Sequence, residues 1–219
     1  PHGATVVAWD GDATAPDACA DALAGADLLI DLRPVIASAH APGAGAADDP
    51  ATWAPAGQHI ERLCRGTYLL IRAAVTAGVT RVVLASTLRH LEDYAPEWSV
   101  AESWHPRPAL DDPAALGPYL AEEVARQLAL VEPITVACVR LATVRADARG
   151  LAWDEVHVRD AAAACVLAAT APLGHSEPYA RPHLATGWWL FHAPGGGPHA
   201  RFPIAAAANI GYAPTHAVE

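Results

Sequence analysis

Apolar runs of strand length alternate along this chain with stretches of helical composition, and that alternation limits most how the chain can fold. The runs are 4–9, 27–32, 80–86, 134–141 and 187–192. Between the first two, residues 15–24 read as a helix, with Thr14 as N-cap and Pro16 and Asp17 in its first turn. A long helical stretch over 53–77 is ended by Gly78. Asp112-Pro113 opens another to Val131, where Pro133 stops it. Residues 160–170 and 203–209 complete the series, and 33–52 and 173–186 read as the long loops. Apolar strands joined through helices of this length make βαβ units. The expected fold class is therefore α/β, a parallel sheet with helices on both faces.

Composition removes several function classes. All 14 basic residues are Arg, so no mechanism can rest on a lysine. A net charge of −10 and a pI near 5.5 argue against nucleic acid as a partner, since that needs a positive field. No apolar run approaches the roughly 18 residues that span a bilayer, and no basic-then-apolar leader is visible, so no membrane partner is expected. Cys19, Cys64, Cys138 and Cys165 are far apart and form no C-x-x-C pair. They read as reduced thiols of a cytoplasmic protein. The 11 histidines show no metal-binding spacing, and no metal is expected.

Several landmarks fall in one order. Asp10-Gly11-Asp12 follows the first run, and Asp27 to Arg33 reads DLLIDLR. Then come GTYLLIRAAVTAGVTRVVLAST (66–87), Tyr119, Val139-Arg140-Leu141, VHVRDAAAA (156–164) and Asn209-Ile210-Gly211-Tyr212. In this order the chain resembles the extended short-chain dehydrogenase/reductases, the NAD-dependent epimerase/dehydratase group. The resemblance implies one Rossmann-like domain over 1–219, with a sheet core over 1–146. The last strand and helix elements and a small, reduced substrate lobe fill 147–219. It implies NAD or NADP at the carboxyl ends of the strands. It assigns the catalytic places to Thr87, with Ser86 adjacent, and to Tyr119. On the cofactor side it places Asp10, Asp12, Leu32, Arg33 and Arg140.

Three departures stand against the match. The G-x-x-G-x-x-G turn that brings backbone against a pyrophosphate is absent, and the first βαβ element has no counterpart. Gly43-Ala44-Gly45 and Gly195-Gly196-Gly197 read as loops instead. Four residues after Tyr119, where the family has a lysine, stands Glu123 on the same helix face, and a carboxylate there disfavours the tyrosinate. Leu63 takes the place of a family asparagine. Either an upstream segment is not counted here, or the fold was kept and the redox machinery lost.

Two functional readings follow. The first is an NAD(P)-dependent epimerase/dehydratase-type oxidoreductase acting on a small or sugar-like molecule. Only about 15 residues separate Arg140 from Val156, too few for a nucleotide-sugar lobe. The second is a cofactor-free lyase, isomerase, cyclase or binding protein in the old pocket. His90, just past Thr87, is a further candidate acid or base that needs no lysine. Trp98, Trp104, Trp188 and Trp189 are candidates to line an apolar pocket. A sheet without its first strand exposes an edge, so a homodimer or partner contact is expected there.

Overall fold

The computed structural model describes residues 4–39, 50–147, 154–173, 187–196 and 201–216. Four strands, β1 (Leu28–Asp31), β2 (Arg81–Thr87), β3 (Thr135–Leu141) and β6 (Trp188–Ala193), form one parallel sheet in the order β1-β2-β3-β6. Two short strands, β4 (Thr143–Arg145) and β5 (Glu155–His157), pair in parallel as a small second sheet that the sequence pattern did not announce.

Alternation along β2 and β3 explains why both read as unbroken apolar runs. Val82 and Leu84 with Val136 and Cys138 lie under α1 (Pro16–Leu23), α3 (Pro50–Thr76) and α4 (Pro113–Val131). Val83 and Ala85 with Ala137 and Val139 lie under α5 (Val158–Thr170) and α6 (Ala205–Asn209). Both faces are covered, so the middle of each strand is apolar on both sides. The α/β architecture with helices on both faces is as expected. The four cysteines are free, and three of them are buried.

Local chemistry sets the helix ends. Gly78, at φ +82°, ends α3, with its N–H donating to Val75 O and that of Val79 to Ala74 O, a Schellman pair. Asp112 caps α4 by accepting from Ala114 N at 2.9 Å. At α1 the expected cap is replaced. The Thr14 hydroxyl donates to Asp12 Oδ1 at 2.7 Å, and Ala15 takes the cap position without a side-chain bond. The helix expected from Asp160 starts two residues earlier, because His157 Nδ1 accepts from Arg159 N at 3.3 Å and acts as its cap.

Two further expectations are corrected. Residues 4–9 form no strand; Val6 and Val7 stand 88% and 79% exposed. A β-rich pattern becomes a strand only where a neighbour offers a ladder, and no described strand lies beside this segment. The stretch from Arg33, read as loop, begins as a short helix, α2 (Arg33–Ala39), and α3 already starts at Pro50. Gly43-Ala44-Gly45 between them lies outside the described residues, as does most of 173–186.

Asp160, in the first turn of α5, ties down the C-terminal segment. Its carboxylate accepts from the backbone N–H groups of Thr215 and His216 and from the Thr215 hydroxyl. The entry to β6 is equally constrained. A Cβ on Gly187 would stand 2.2 Å from the Ile134 carbonyl oxygen, a backbone atom at the entry to β3. We expect Gly187→Ala to lower stability by about 2–3 kcal/mol through overpacking, read as a lower urea midpoint; an unchanged midpoint would contradict that close approach.

Candidate active site

All four strands of the main sheet run the same way, so their carboxyl ends share one edge, the place where open α/β sheets bind ligands. Strand β2 brings Ser86 and Thr87 there on opposite faces. Thr87 caps the one-turn 3-10 helix that follows, Leu88–Leu91, its Oγ1 accepting from Arg89 N at 3.2 Å. That turn carries His90, which is fully buried. Ser86 lies in register with Arg140 of β3, which lies in register with His192 of β6. A row of three polar side chains therefore crosses the sheet just behind its carboxyl edge, all of them buried.

Helix α4 lies over this row. Tyr119 is half-buried there, its ring edge-on to His90 with centroids 6.2 Å apart. One turn on, Glu122 points into the sheet. It accepts two bonds from Arg140 Nε at 3.0 and 3.1 Å and one from Nη2 at 2.7 Å. Its Oε1 also lies 3.2 Å from His90 Nε2, off the straight hydrogen-bond line. Four ionisable side chains from four elements thus meet in the interior: His90, Glu122, Arg140 and His192.

Their protonation follows from burial and from one another. Burial works to raise the Glu122 carboxyl, but the Arg140 guanidinium and His90 outweigh it and hold the group far below the ordinary carboxylate range. Burial pulls His90 below the usual histidine value despite Glu122 beside it. Burial, with Arg140 adding to it, takes His192 down to about 3. At neutral pH the cluster is one ion pair and two neutral imidazoles. Ser86 Oγ, both His90 nitrogens, Arg140 Nη1 and both His192 nitrogens are buried without a well-aligned hydrogen-bond partner among the described residues. So many unmet groups in one place make the cluster a candidate functional site.

The other expected residues scatter. Asp10 and Asp12 are exposed, and Asp12 spends its carboxylate on the turn at Thr14. Leu32 is exposed beyond β1. Arg33 bonds Asp31 through Nε at 2.9 Å and Nη2 at 2.6 Å, and it lies so close over Gly66 that a Cβ there would meet Nη1 at 2.5 Å. Arg140, expected to face a cofactor, is withdrawn into the Glu122 pair. Glu123, at the lysine's place, pairs with Arg126 at 2.5 Å. Trp98 and Trp104 group with Tyr94 beyond the 3-10 turn, whereas Trp188 and Trp189 belong to opposite faces of β6. Sequence reading passed over Glu122 and left His192 among the 11 histidines without metal-binding spacing. Its signal was a polar residue closing an apolar run, Trp188 to Phe191.

These residues fit one end of a dinucleotide. Thr87, Tyr119 and the unmet polar groups suit a reacting carbon and its hydroxyl. The phosphates have no cradle among the described residues. The helix start beside β1 already holds the buried Asp31 carboxylate, which accepts from Arg33 N at 3.0 Å and repels a second anion. No described group of three His, Cys, Asp or Glu could hold a metal ion, and no described helix is long and apolar enough to cross a membrane.

No family model matches the chain, and no curated protein does. Solved structures do match. A glucuronic acid dehydrogenase from Chromohalobacter salexigens superposes with a TM-score of 0.71 at 18% identity, over 100% of this chain and 73% of its own. A short-chain dehydrogenase/reductase superfamily protein from Agrobacterium tumefaciens, with bound NAD, gives 0.61 at 20% identity, over 84% and 65%. A dTDP-glucose 4,6-dehydratase from Streptomyces venezuelae, with NAD bound, gives 0.59 at 21% identity, over 85% and 57%. The chain spans less than two thirds of the last two. At these identities the likeness establishes the fold alone: a Rossmann-like parallel sheet flanked by helices.

Proposed function

We propose that the chain carries the proton-transfer half of an NAD(P)-dependent oxidoreductase acting on a small, sugar-like alcohol or its carbonyl. The observation that carries this reading is Tyr119 packed edge-on against His90, in the turn that Thr87 caps. Solved neighbours of the same fold whose names describe sugar dehydrogenases and dehydratases support it. When bound, a nicotinamide would supply hydride acceptance or donation at the substrate carbon. Thr87, on the rigid end of β2, orients the substrate oxygen. Tyr119 takes or returns the proton of that oxygen. Asp10, Asp12, Leu32 and Arg33 remain candidates for the adenosine side.

Calorimetric titration with NAD and with NADP, followed by a panel of sugars and sugar acids read at the NADH absorbance, tests the proposal. Micromolar binding and turnover are expected. Tyr119→Phe should lower kcat by about 10²–10⁴-fold, the usual worth of an acid/base group, with an unchanged thermal midpoint. Silence with both cofactors would overturn the oxidoreductase reading. The lyase, isomerase, cyclase or binding-protein reading, which Glu123 at the lysine's place favours, would then stand.

A further inference from the structure

We propose that Glu122 and His90 form a carboxylate–imidazole relay that takes the proton from Tyr119 and so does the work a lysine does elsewhere in this fold. The inference rests on the proposed role of Tyr119. Its basis is the geometry of the buried cluster. Glu122 Oε1 stands 3.2 Å from His90 Nε2. A carboxylate there favours the tautomer with its hydrogen on Nε2, which leaves Nδ1 as an acceptor. Nδ1 is buried with no hydrogen-bond partner among the described residues, and the ring that carries it lies edge-on to the Tyr119 ring. A carboxylate beside one nitrogen of a histidine, leaving the other nitrogen to accept, is an arrangement that activates a nucleophile or base in many unrelated folds.

Arg140 explains why the carboxylate can stand in the interior at all. Its bidentate pair keeps Glu122 ionised, so the negative charge that steadies an imidazolium is present before the reaction begins. Glu123, by contrast, is engaged outside with Arg126 and faces away from this duty. The missing lysine is thereby replaced from the buried side of α4 and the 3-10 turn, not at its own position.

The proton bookkeeping is simple. As substrate oxygen gives its proton to the Tyr119 oxygen, the phenol O–H bond breaks and an N–H bond forms at His90 Nδ1. The electron pair stays on the phenolic oxygen. The imidazolium formed faces the Glu122 carboxylate, and the reverse step returns the proton. The transfer is redox-neutral and needs no further reactant. The groups that face His90 and set its titration are Glu122, Arg140, His192 and Tyr119.

The test combines spectra and kinetics on the intact chain. Long-range proton–nitrogen spectra of protein labelled with ¹⁵N-histidine, at pH 7, should show neutral His90 with its hydrogen on Nε2. His90→Gln keeps a neutral, polar side chain but cannot carry a proton. It should lower kcat about 10²-fold, leave KM within about twofold, and remove the acid limb of the kcat/KM profile. A hydrogen on Nδ1, or a His90→Gln variant with wild-type kcat and profile, overturns the relay. If no nicotinamide-linked substrate turns over, the proposed function falls by itself. The spectra then decide the relay alone: the Nε2–H form supports it and the Nδ1–H form overturns it.

Discussion

Arg140→Met is expected to destabilise the protein by about 3–5 kcal/mol, the usual cost of leaving one partner of a buried ion pair alone. The variant strips Glu122 of three hydrogen bonds and leaves a carboxylate in a site with no access to water. The double variant Glu122→Leu/Arg140→Met should recover most of that loss. Apolar side chains of similar volume cost no desolvation, and a buried pair contributes little net stability to a fold. Urea midpoints of the wild type, both single variants and the double variant form the cycle. A double variant as unstable as the sum of the singles would show that the two side chains are not coupled, and would overturn the buried pair. Recovery with loss of turnover would show that it is there for the site. Glu122 also has an acid signature. Its folded carboxyl sits below its unfolded value, so its stabilisation is present above the ordinary carboxylate range and is lost as pH falls below it.

A second large effect belongs to His192. In the folded chain it titrates at about 3 rather than 6.5. Between those values the unfolded chain binds a proton that the folded one refuses. Stability is therefore full above pH 6.5 and falls as pH drops towards 3. At about 1.4 kcal/mol per unit, acidification from pH 7 to pH 5 should cost on the order of 2 kcal/mol from this residue alone. His90 is shifted in the same direction and adds to it. His192→Leu should flatten the profile between pH 7 and 5, leaving the part that His90 contributes. Chemical denaturation at the two pH values measures both. An equal pH 7-to-5 loss in wild type and variant would mean that His192 is not buried neutral.

The fold was legible in the sequence wherever a local pattern suffices. Strands β2 and β3 announce themselves as apolar runs because both faces are covered. Gly78 and Asp112 mark helix ends because a positive φ and an unpaired N–H demand those residue types. The failures have a common cause. Residues 4–9 have strand composition, yet pairing is a property of a neighbour and not of the segment. The start of α5 is set by a histidine cap, which carries no general signal. Thr87 and Tyr119 were placed through likeness to a family. Glu122 and His192 were missed because each alone looks ordinary, a helix glutamate and one histidine among 11. Their meaning exists only when β2, β3, β6 and α4 bring them together.

The order β1-β2-β3-β6 also divides the sheet by timescale. Strands β2 and β3 are paired on both sides and fully covered, so their amides open only in rare, large-scale excursions. Strand β1 has one paired side among the described residues and leaves Leu28 and Ile30 partly open to solvent. Its amide hydrogens are expected to exchange with deuterium orders of magnitude sooner than those of Val83 or Val139. Thr87 and Arg140, with the cluster around His90, are therefore carried by the slowest-breathing part of the molecule. Leu32 and Arg33 follow directly on an edge strand, so a ligand held there must bring its own order with it.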